Sequence, residues 1–209
     1  MKLYILPGAC SFVPHTALEW AGADYELEIL DHDSVKSEEY LRINPQGSVP
    51  AIVDGDTVIS QNLAVQTFIN ATYPDAHIFG KDDTPADLAY AYHWLAFLNS
   101  DLHKAFAPVF GPDGFIKGDD EQKALVAQAK QKIVNLLDYP NKQLGKHDYL
   151  TGTKSTADLY LYVILRWSKN FELDLAAYSN LNPFIKRIES DESVTEALRQ
   201  EGLEKINSL

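Results

Sequence analysis

Cysteine is almost absent from this chain of 209 residues, which contains Cys10 alone. One cysteine cannot form an internal disulfide, so the sequence indicates a reducing compartment. Long apolar runs are also missing, because no stretch approaches the roughly 18 apolar residues that a membrane-spanning helix requires. The apolar run at the N-terminus is too short for a signal peptide. We therefore expect a cytoplasmic protein with no membrane partner.

Positive charge is scarce as well. The chain carries 18 Lys and Arg against 30 Asp and Glu, a net charge of −12. Such a charge argues against nucleic acids and anionic membranes as partners. The excess of acidic over basic side chains is largest in residues 1–79, which contain 3 basic and 11 acidic side chains. An anionic ligand in this half needs local donors: backbone N–H groups, Lys36 or Arg42, joined by Lys104 from the second half.

The order of predicted elements over about the first 75 residues is β-α-β-α-β-β-α. This order is typical of an α/β thioredoxin-like domain, in which a mixed four-stranded sheet lies between helices. A polar, breaker-rich segment begins at Gly80, and the pattern beyond it is helical throughout. We therefore predict a thioredoxin-like domain at 1–79, a linker at 80–86 and an all-α domain at 87–209.

Three features define the helical half. One helix is predicted from Thr84 to about Phe106, and a second over 119–137 that stops at Pro140. The capping box at 155–158 then opens a helix that is apolar on nearly every side, which predicts the buried centre of the domain. The carboxylate of that box, Asp158, is interpreted as structural.

The stretch 44–62 combines two binding signals. Its first residues, Asn-Pro-Gln-Gly-Ser-Val-Pro, break any helix and lead into a strand at Pro50. A proline at a strand entrance favours a cis bond, which would leave the Val49 main chain free to pair with an extended peptide. Gln61 and Asn62 open a helix whose free N–H groups predict an anion site. An ordinary hairpin and helix would account for the same spacing.

Cys10 lies between a predicted strand and a predicted helix, with Ser11 placed as the helix cap. Helix-terminal N–H groups stabilise a thiolate, so we expect the pKa of Cys10 to be lowered. A buried and inert cysteine is the alternative interpretation. His15, one turn further on, is assigned a structural role.

The motif at 44–50 and the polar pair after it resemble the glutathione-binding half of the glutathione S-transferases. The opening Met-Lys-Leu-Tyr-x-x-Pro-Gly-Ala-Cys-Ser resembles their bacterial beta class, and Ser-Asp-Leu-His-Lys-Ala-Phe-Ala-Pro at 100–108 matches its histidine-bearing helix. The resemblance implies that Val49 pairs with the cysteinyl backbone of glutathione and that the polar pair holds the γ-glutamyl carboxylate. The chain departs from the family pattern at Asn62, where Ser or Gly is usual, and at Ala96, where Asn is frequent.

What the resemblance implies is a homodimeric detoxification enzyme that conjugates glutathione to small hydrophobic electrophiles. Glutathione is then a co-substrate, and no cofactor or metal is expected. Two alternatives stay open: a thiol-disulfide reductase that forms a mixed disulfide on Cys10, and a non-catalytic protein that binds glutathione or apolar ligands. The expected site residues are Cys10, His103 and Ser11 for catalysis; Val49, Pro50, Gln61, Asn62, Lys36 and Lys104 for glutathione; and Phe106, Phe110 and Trp167 for the acceptor.

Overall fold

A computed structural model describes residues 1–81 and 84–209 of the chain. The first part contains a mixed sheet with the strand order β2-β1-β3-β4. β1 runs parallel to β2 and antiparallel to β3, and β3 and β4 form an antiparallel hairpin. The predicted four-stranded mixed sheet is therefore confirmed. The strands are β1 (Lys2–Ile5), β2 (Glu26–Ile29), β3 (Ala51–Asp54) and β4 (Thr57–Ser60).

Helices cover the sheet because its strands bury alternate side chains. In β1, Leu3 and Ile5 are fully buried, whereas Lys2 and Tyr4, which alternate with them, are partly exposed. The hairpin turns at Gly55, whose φ of 56° lies in the left-handed region that glycine adopts without strain. The helices of this part are α1 (Phe12–Trp20), α2 (Glu38–Ile43) and α3 (Asn62–Thr72).

The second part is helical around one buried helix, as the sequence predicts. In α7 every residue from Thr156 to Ser168 is buried, so this helix forms the centre of the core. Within the described residues, the helices are too short or too polar to cross a lipid bilayer. The helices of this part are α4 (Pro85–Ala96), α5 (Ala107–Phe110), α6 (Asp119–Leu144), α7 (Thr156–Asn170), α8 (Leu181–Glu189) and α9 (Glu192–Gln200).

The first long helix differs from its prediction in one respect that concerns the site. The α-helical pattern ends at Ala96, and the chain continues as a π-helical segment over Phe97–His103. A π-helix has a wider turn than an α-helix and occurs frequently at functional sites. Hydropathy cannot distinguish the two turns, since both present apolar side chains to the core at similar spacing.

The prediction that the second long helix stops at Pro140 is wrong. α6 continues through Pro140 to Leu144, although the proline has no N–H to donate. Pro140 is buried, and the turn after it is anchored from α8: the Asn180 side chain donates to the Asn141 carbonyl at 3.0 Å. Tertiary packing therefore offsets the missing hydrogen bond.

The domain boundaries at 1–79, 80–86 and 87–209 stay a prediction. Asp82 and Asp83, in the middle of the predicted linker, lie outside the described residues.

Candidate active site

Ser11 shapes the turn that carries Cys10. Its hydroxyl accepts from the Leu6 N–H and donates to the Leu6 carbonyl, both at 3.2 Å, which closes the loop between β1 and α1. The side chain makes no helix cap and is completely buried. Two expectations for Ser11 are thereby corrected: it does not cap α1, and its hydroxyl is not exposed to a ligand sulfur. Its contribution is to position Cys10.

Gly8, in the same turn, is held from the helical half of the chain. The Gly8 N–H donates to Glu201 Oε2 at 2.9 Å, and its carbonyl accepts from Trp167 Nε1 at 2.8 Å. Glu201 also binds His15, with 2.8 Å between Oε1 and Nδ1. The structural role expected for His15 is confirmed, because this buried imidazole joins α1 to the end of α9. The Cys10 turn is therefore fixed by both halves of the chain.

The Cys10 thiol is buried and un-ionised at neutral pH. Burial raises the pKa of Cys10 to about 11, although the neighbouring Asn62 amide and Tyr160 hydroxyl act in the opposite direction. The Sγ atom donates a weak hydrogen bond to the Val49 carbonyl at 3.7 Å. The expectation of a lowered pKa is wrong, because the cost of desolvating a thiolate exceeds the stabilisation that the helix start provides.

The loop before β3 presents the main chain of Val49. The bond between Val49 and Pro50 is cis, as the sequence predicts. Among the described residues the Val49 N–H has no acceptor, but its carbonyl is occupied by the Cys10 thiol, so only the N–H matches the expected free edge. The loop is held by Lys36 Nζ, which donates to the Gly47 carbonyl at 2.6 Å, and by Tyr40, whose hydroxyl donates to the Ser48 carbonyl at 2.7 Å.

The polar pair at the start of α3 separates into an outward and an inward side chain. Gln61 is exposed, has a φ of 75°, and donates to Gln46 Oε1 at 2.6 Å. Asn62 is buried: its Nδ2 donates to the Cys10 carbonyl at 2.6 Å, and its Oδ1 accepts from Gln66. The expectation that the Asn62 side chain holds a ligand carboxylate is corrected, since both ends of the amide are used inside the protein. The N–H groups of residues 62–64, at the start of α3, have no intrahelical acceptor, whereas that of Val65 donates to the Gln61 carbonyl at 2.9 Å.

His103, at the end of the π-helical segment, lies beside α7. Its Nδ1 is 2.8 Å from the Tyr160 hydroxyl, and its ring centroid is 4.7 Å from that of Trp167. Burial, with a contribution from the charge of Lys104, lowers the pKa of His103 to about 4. The imidazole is therefore neutral at pH 7. Lys104 itself is exposed.

The three aromatic residues expected to form an acceptor wall do lie together, but in two layers. Phe110 is 49% exposed and packs edge-on against Trp167, with 5.2 Å between ring centroids. Phe106 is completely buried beneath both rings, so the expectation that it contacts an acceptor is corrected. Phe171, which sequence reasoning missed, packs against Phe110 at 5.6 Å.

Two polar residues of the site were also missed by sequence reasoning. Tyr160 belongs to the apolar run of α7, so the sequence predicts a core residue at this position. Asn99 is part of no motif. A buried tyrosine hydroxyl usually requires a hydrogen-bond partner, and this was the available signal. Ala96, the departure from the family pattern, is exposed in the last turn of α4. For metals, the described residues contain no group of three His, Cys, Asp or Glu side chains placed to hold an ion.

Comparison with known proteins agrees with this geometry. Residues 1–71 match the family described as "Glutathione S-transferase, N-terminal domain", and residues 84–192 match "Glutathione S-transferase, C-terminal domain". The chain belongs to the glutathione S-transferase family. A glutathione S-transferase of Xanthomonas campestris pv. campestris is 37% identical over 204 residues, covering 97% of this chain and 100% of the relative.

Solved structures give the same result. A glutathione S-transferase from Xylella fastidiosa superimposes with a TM-score of 0.93 at 38% identity, covering 97% of this chain and 99% of that one. A bacterial beta class glutathione S-transferase from Sphingomonas chungbukensis gives 0.84 at 36% identity, covering 98% and 100%. The thioredoxin-like fold, the resemblance to the beta class and the interpretation as a glutathione transferase are confirmed.

Proposed function

We propose that the protein conjugates the thiolate of glutathione to small hydrophobic electrophiles, at the site around Cys10. The observation that carries the proposal is the meeting of three elements at this residue. Cys10 Sγ is 3.7 Å from the Val49 carbonyl, and the Asn62 amide nitrogen is 2.6 Å from the Cys10 carbonyl. A peptide lying along Val49 would therefore reach the start of α3 at one end and the Cys10 turn at its centre.

The charges of glutathione determine how it lies in this site. Its cysteinyl carbonyl accepts from the Val49 N–H, as a further strand would. Its γ-glutamyl carboxylate accepts from the first N–H groups of α3, including that of Asn62, and from the Gln61 side chain. Lys36 and Lys104 supply the positive charge that the acidic N-terminal half otherwise lacks, and Pro50 fixes the loop. Arg42 is less suited, because it is exposed and paired with Glu38 at 3.3 Å.

The reaction needs a proton acceptor and a donor near the sulfur. His103 is neutral, accepts the thiol proton of glutathione and passes it on to solvent as the thiolate forms, while the Cys10 thiol stays protonated beside it. The thiolate then attacks the acceptor: with a chloronitroaromatic, a carbon–sulfur bond forms, the carbon–chlorine bond breaks and chloride leaves. The acceptor lies against Phe110, which is half exposed and packs on Trp167, and Trp167 in turn lies beside His103.

A homodimer in the cytoplasm completes the proposal. The α4–α6 aromatic face, made of Tyr90, His93 and Tyr139, is a suitable contact for a second copy of the chain. Tyr90 and Tyr139 are 43% and 44% exposed, and His93 lies between them, with Nε2 2.9 Å from the Tyr139 hydroxyl. The cytoplasm is the compartment that holds reduced glutathione and keeps a lone cysteine such as Cys10 reduced.

A kinetic comparison tests the proposal. We expect the wild-type protein to conjugate a chloronitroaromatic acceptor above the background rate at saturating glutathione. Lys36→Ala should raise the KM for glutathione about tenfold, which is the effect of one charge-assisted hydrogen bond. Lys186→Ala, which removes an exposed lysine of α8, should leave the KM unchanged. A wild-type rate equal to background with several electrophile classes would refute conjugation.

The two alternatives differ from conjugation in what they require. A reductase needs Cys10 as a thiolate, and burial disfavours that form. A non-catalytic protein would bind glutathione without turnover and would be insensitive to changes at both Cys10 and His103. The same assay, with a disulfide substrate added in parallel, separates all three.

A further inference from the structure

Tyr160 connects the two residues that the mechanism depends on. Its side chain is buried in the middle of α7. Its hydroxyl oxygen is 2.8 Å from His103 Nδ1 and 2.8 Å from Asn99 Oδ1. The hydroxyl also lies near the Cys10 thiol. One phenol therefore contacts Cys10 from the first half of the chain and His103 from the second.

The Tyr160 phenol has a single proton. The acceptor of that proton determines which ring nitrogen of His103 carries the hydrogen. Tyr160 donates that proton to Asn99 Oδ1, an amide oxygen that can only accept. Towards His103 the phenol oxygen is then the acceptor, so Nδ1 must carry the hydrogen. The lone pair of the neutral imidazole is left on Nε2. Among the described residues, Nε2 of His103 has no hydrogen-bond partner, so it is available to a ligand.

The elements hold this arrangement in place. Asn99 and His103 are four residues apart in the π-helical segment, whose wide turn brings both side chains to the same phenol. Tyr160 itself cannot move easily, because α7 is enclosed over 156–168. The buried Tyr160 hydroxyl is partnered on both sides, and such a network specifies one orientation of the phenol and of the imidazole.

We propose that Tyr160 is a positioning residue that holds His103 as the Nδ1–H tautomer and so presents Nε2 as the acceptor of the glutathione thiol proton. Only the claim about the glutathione thiol proton rests on the proposed conjugation. The tautomer is a property of the free protein and is measured without any turnover.

Long-range ¹H–¹⁵N NMR of the histidine ring nitrogens in the free protein tests whether Tyr160 holds His103 as the Nδ1–H tautomer. We expect the Nδ1–H form for His103 in the wild type, and a shift towards the Nε2–H form in Tyr160→Phe, which removes the acceptor. Tyr162→Phe is the matched control, because the Tyr162 hydroxyl belongs to the same helix but donates to Glu189 at 2.7 Å. A wild-type Nε2–H form, or an unchanged tautomer in Tyr160→Phe, would overturn the proposal.

A second variant guards against failure of Tyr160→Phe to fold. In Asn99→Ala the phenol loses its own acceptor, so its proton can turn to His103 Nδ1. We expect His103 to change to the Nε2–H form in Asn99→Ala as well, although Tyr160 is intact. Retention of the Nδ1–H form in Asn99→Ala would contradict the assignment of the Tyr160 phenol proton to Asn99.

The thiol pKa of bound glutathione tests whether Nε2 of His103 accepts the glutathione thiol proton. It is measured from thiolate absorbance in the protein–glutathione complex. We expect Tyr160→Phe to raise this pKa by about one unit, equivalent to a tenfold loss of thiolate below it, with the affinity for glutathione unchanged. Tyr160→Phe added to His103→Ala should change nothing further, because the residue acts through the imidazole. If the two substitutions instead had separate effects that combined in the double variant, Tyr160 would act independently of His103. That result would overturn the proposal. A wild type that has the Nδ1–H tautomer but no conjugating activity would refute the proposed function alone.

Discussion

Cys10 shows how a single residue can have the expected position and the opposite chemistry. The sequence places it correctly at the start of α1, where the helix end favours a thiolate. The structure covers it with Val49, Asn62 and Tyr160, and burial raises its pKa to about 11. The free energy of desolvation is decided by these distant residues, and none of them is a neighbour in sequence.

Cys10 is therefore expected to react slowly and to be dispensable for conjugation. At pH 8 a thiol with a pKa near 11 is roughly a thousandth ionised, so alkylation by iodoacetamide should be at least about a hundredfold slower than that of free glutathione. Cys10→Ala should keep at least about a third of the wild-type kcat, because His103 is still present. Fast alkylation together with complete loss of turnover in Cys10→Ala would instead indicate a nucleophilic cysteine.

At the scale of elements, the capping box of α7 shows what local sequence can determine. The Ser155 N–H donates to Asp158 Oδ2 at 2.9 Å, as the motif predicts, and the Ser155 hydroxyl donates to the same oxygen at 3.0 Å. The sequence did not predict that the same carboxylate also accepts from the Leu150 N–H, at 2.8 Å. Asp158 thus fastens the loop before α7 to the helix. The π-helical segment and the continuation of α6 past Pro140 were not predictable locally, because packing holds both.

Asp158→Asn should lower the free energy of unfolding by about 2–3 kcal/mol, since it places an amide N–H₂ against buried donors. Asp119→Asn, at the exposed start of α6, is the control and should cost less than about 1 kcal/mol. Urea unfolding of the two variants measures the difference. Equal costs would show that the buried carboxylate has no special role.

The pH dependence of this effect has a definite sign. Burial raises the pKa of Asp158 to about 7, above its usual value of 3.8. Between these values the folded protein binds more protons at this site than the unfolded chain, so the contribution of Asp158 to stability falls as pH rises. The wild type should therefore exceed Asp158→Asn in stability by more at pH 5 than at pH 8.

At the scale of the whole molecule, the two halves of the chain meet at the Cys10 turn. Trp167, which packs against Phe110 and His103, also donates to the Gly8 carbonyl, 2.8 Å away. Glu201, near the end of the chain, holds the Gly8 N–H at 2.9 Å. Neither half alone therefore builds the Cys10 turn.

The proposed homodimer is tested at the scale of the whole molecule. Equilibrium sedimentation at micromolar concentration should give twice the mass of the chain. Tyr90→Glu, which places a charge on the α4–α6 aromatic face, should shift the mass towards that of one chain. Phe115→Glu is the control, because Phe115 is 59% exposed but lies outside that face. A wild-type monomer, or equal effects of the two variants, would rule out this face as the dimer contact.

The sequence by itself determined the order of strands and helices, the hairpin at Gly55, the capping box of α7 and the position of Cys10 at the start of α1. These features depend on contacts between residues close in sequence or on motifs of fixed spacing. Only the tertiary structure decided which atoms remain available to a ligand: the Asn62 amide is used internally, Phe106 is covered, and the Cys10 thiol is kept protonated. Burial and proton sharing depend on what packs above a side chain, and Cys10 and Tyr160 are 150 positions apart in the sequence.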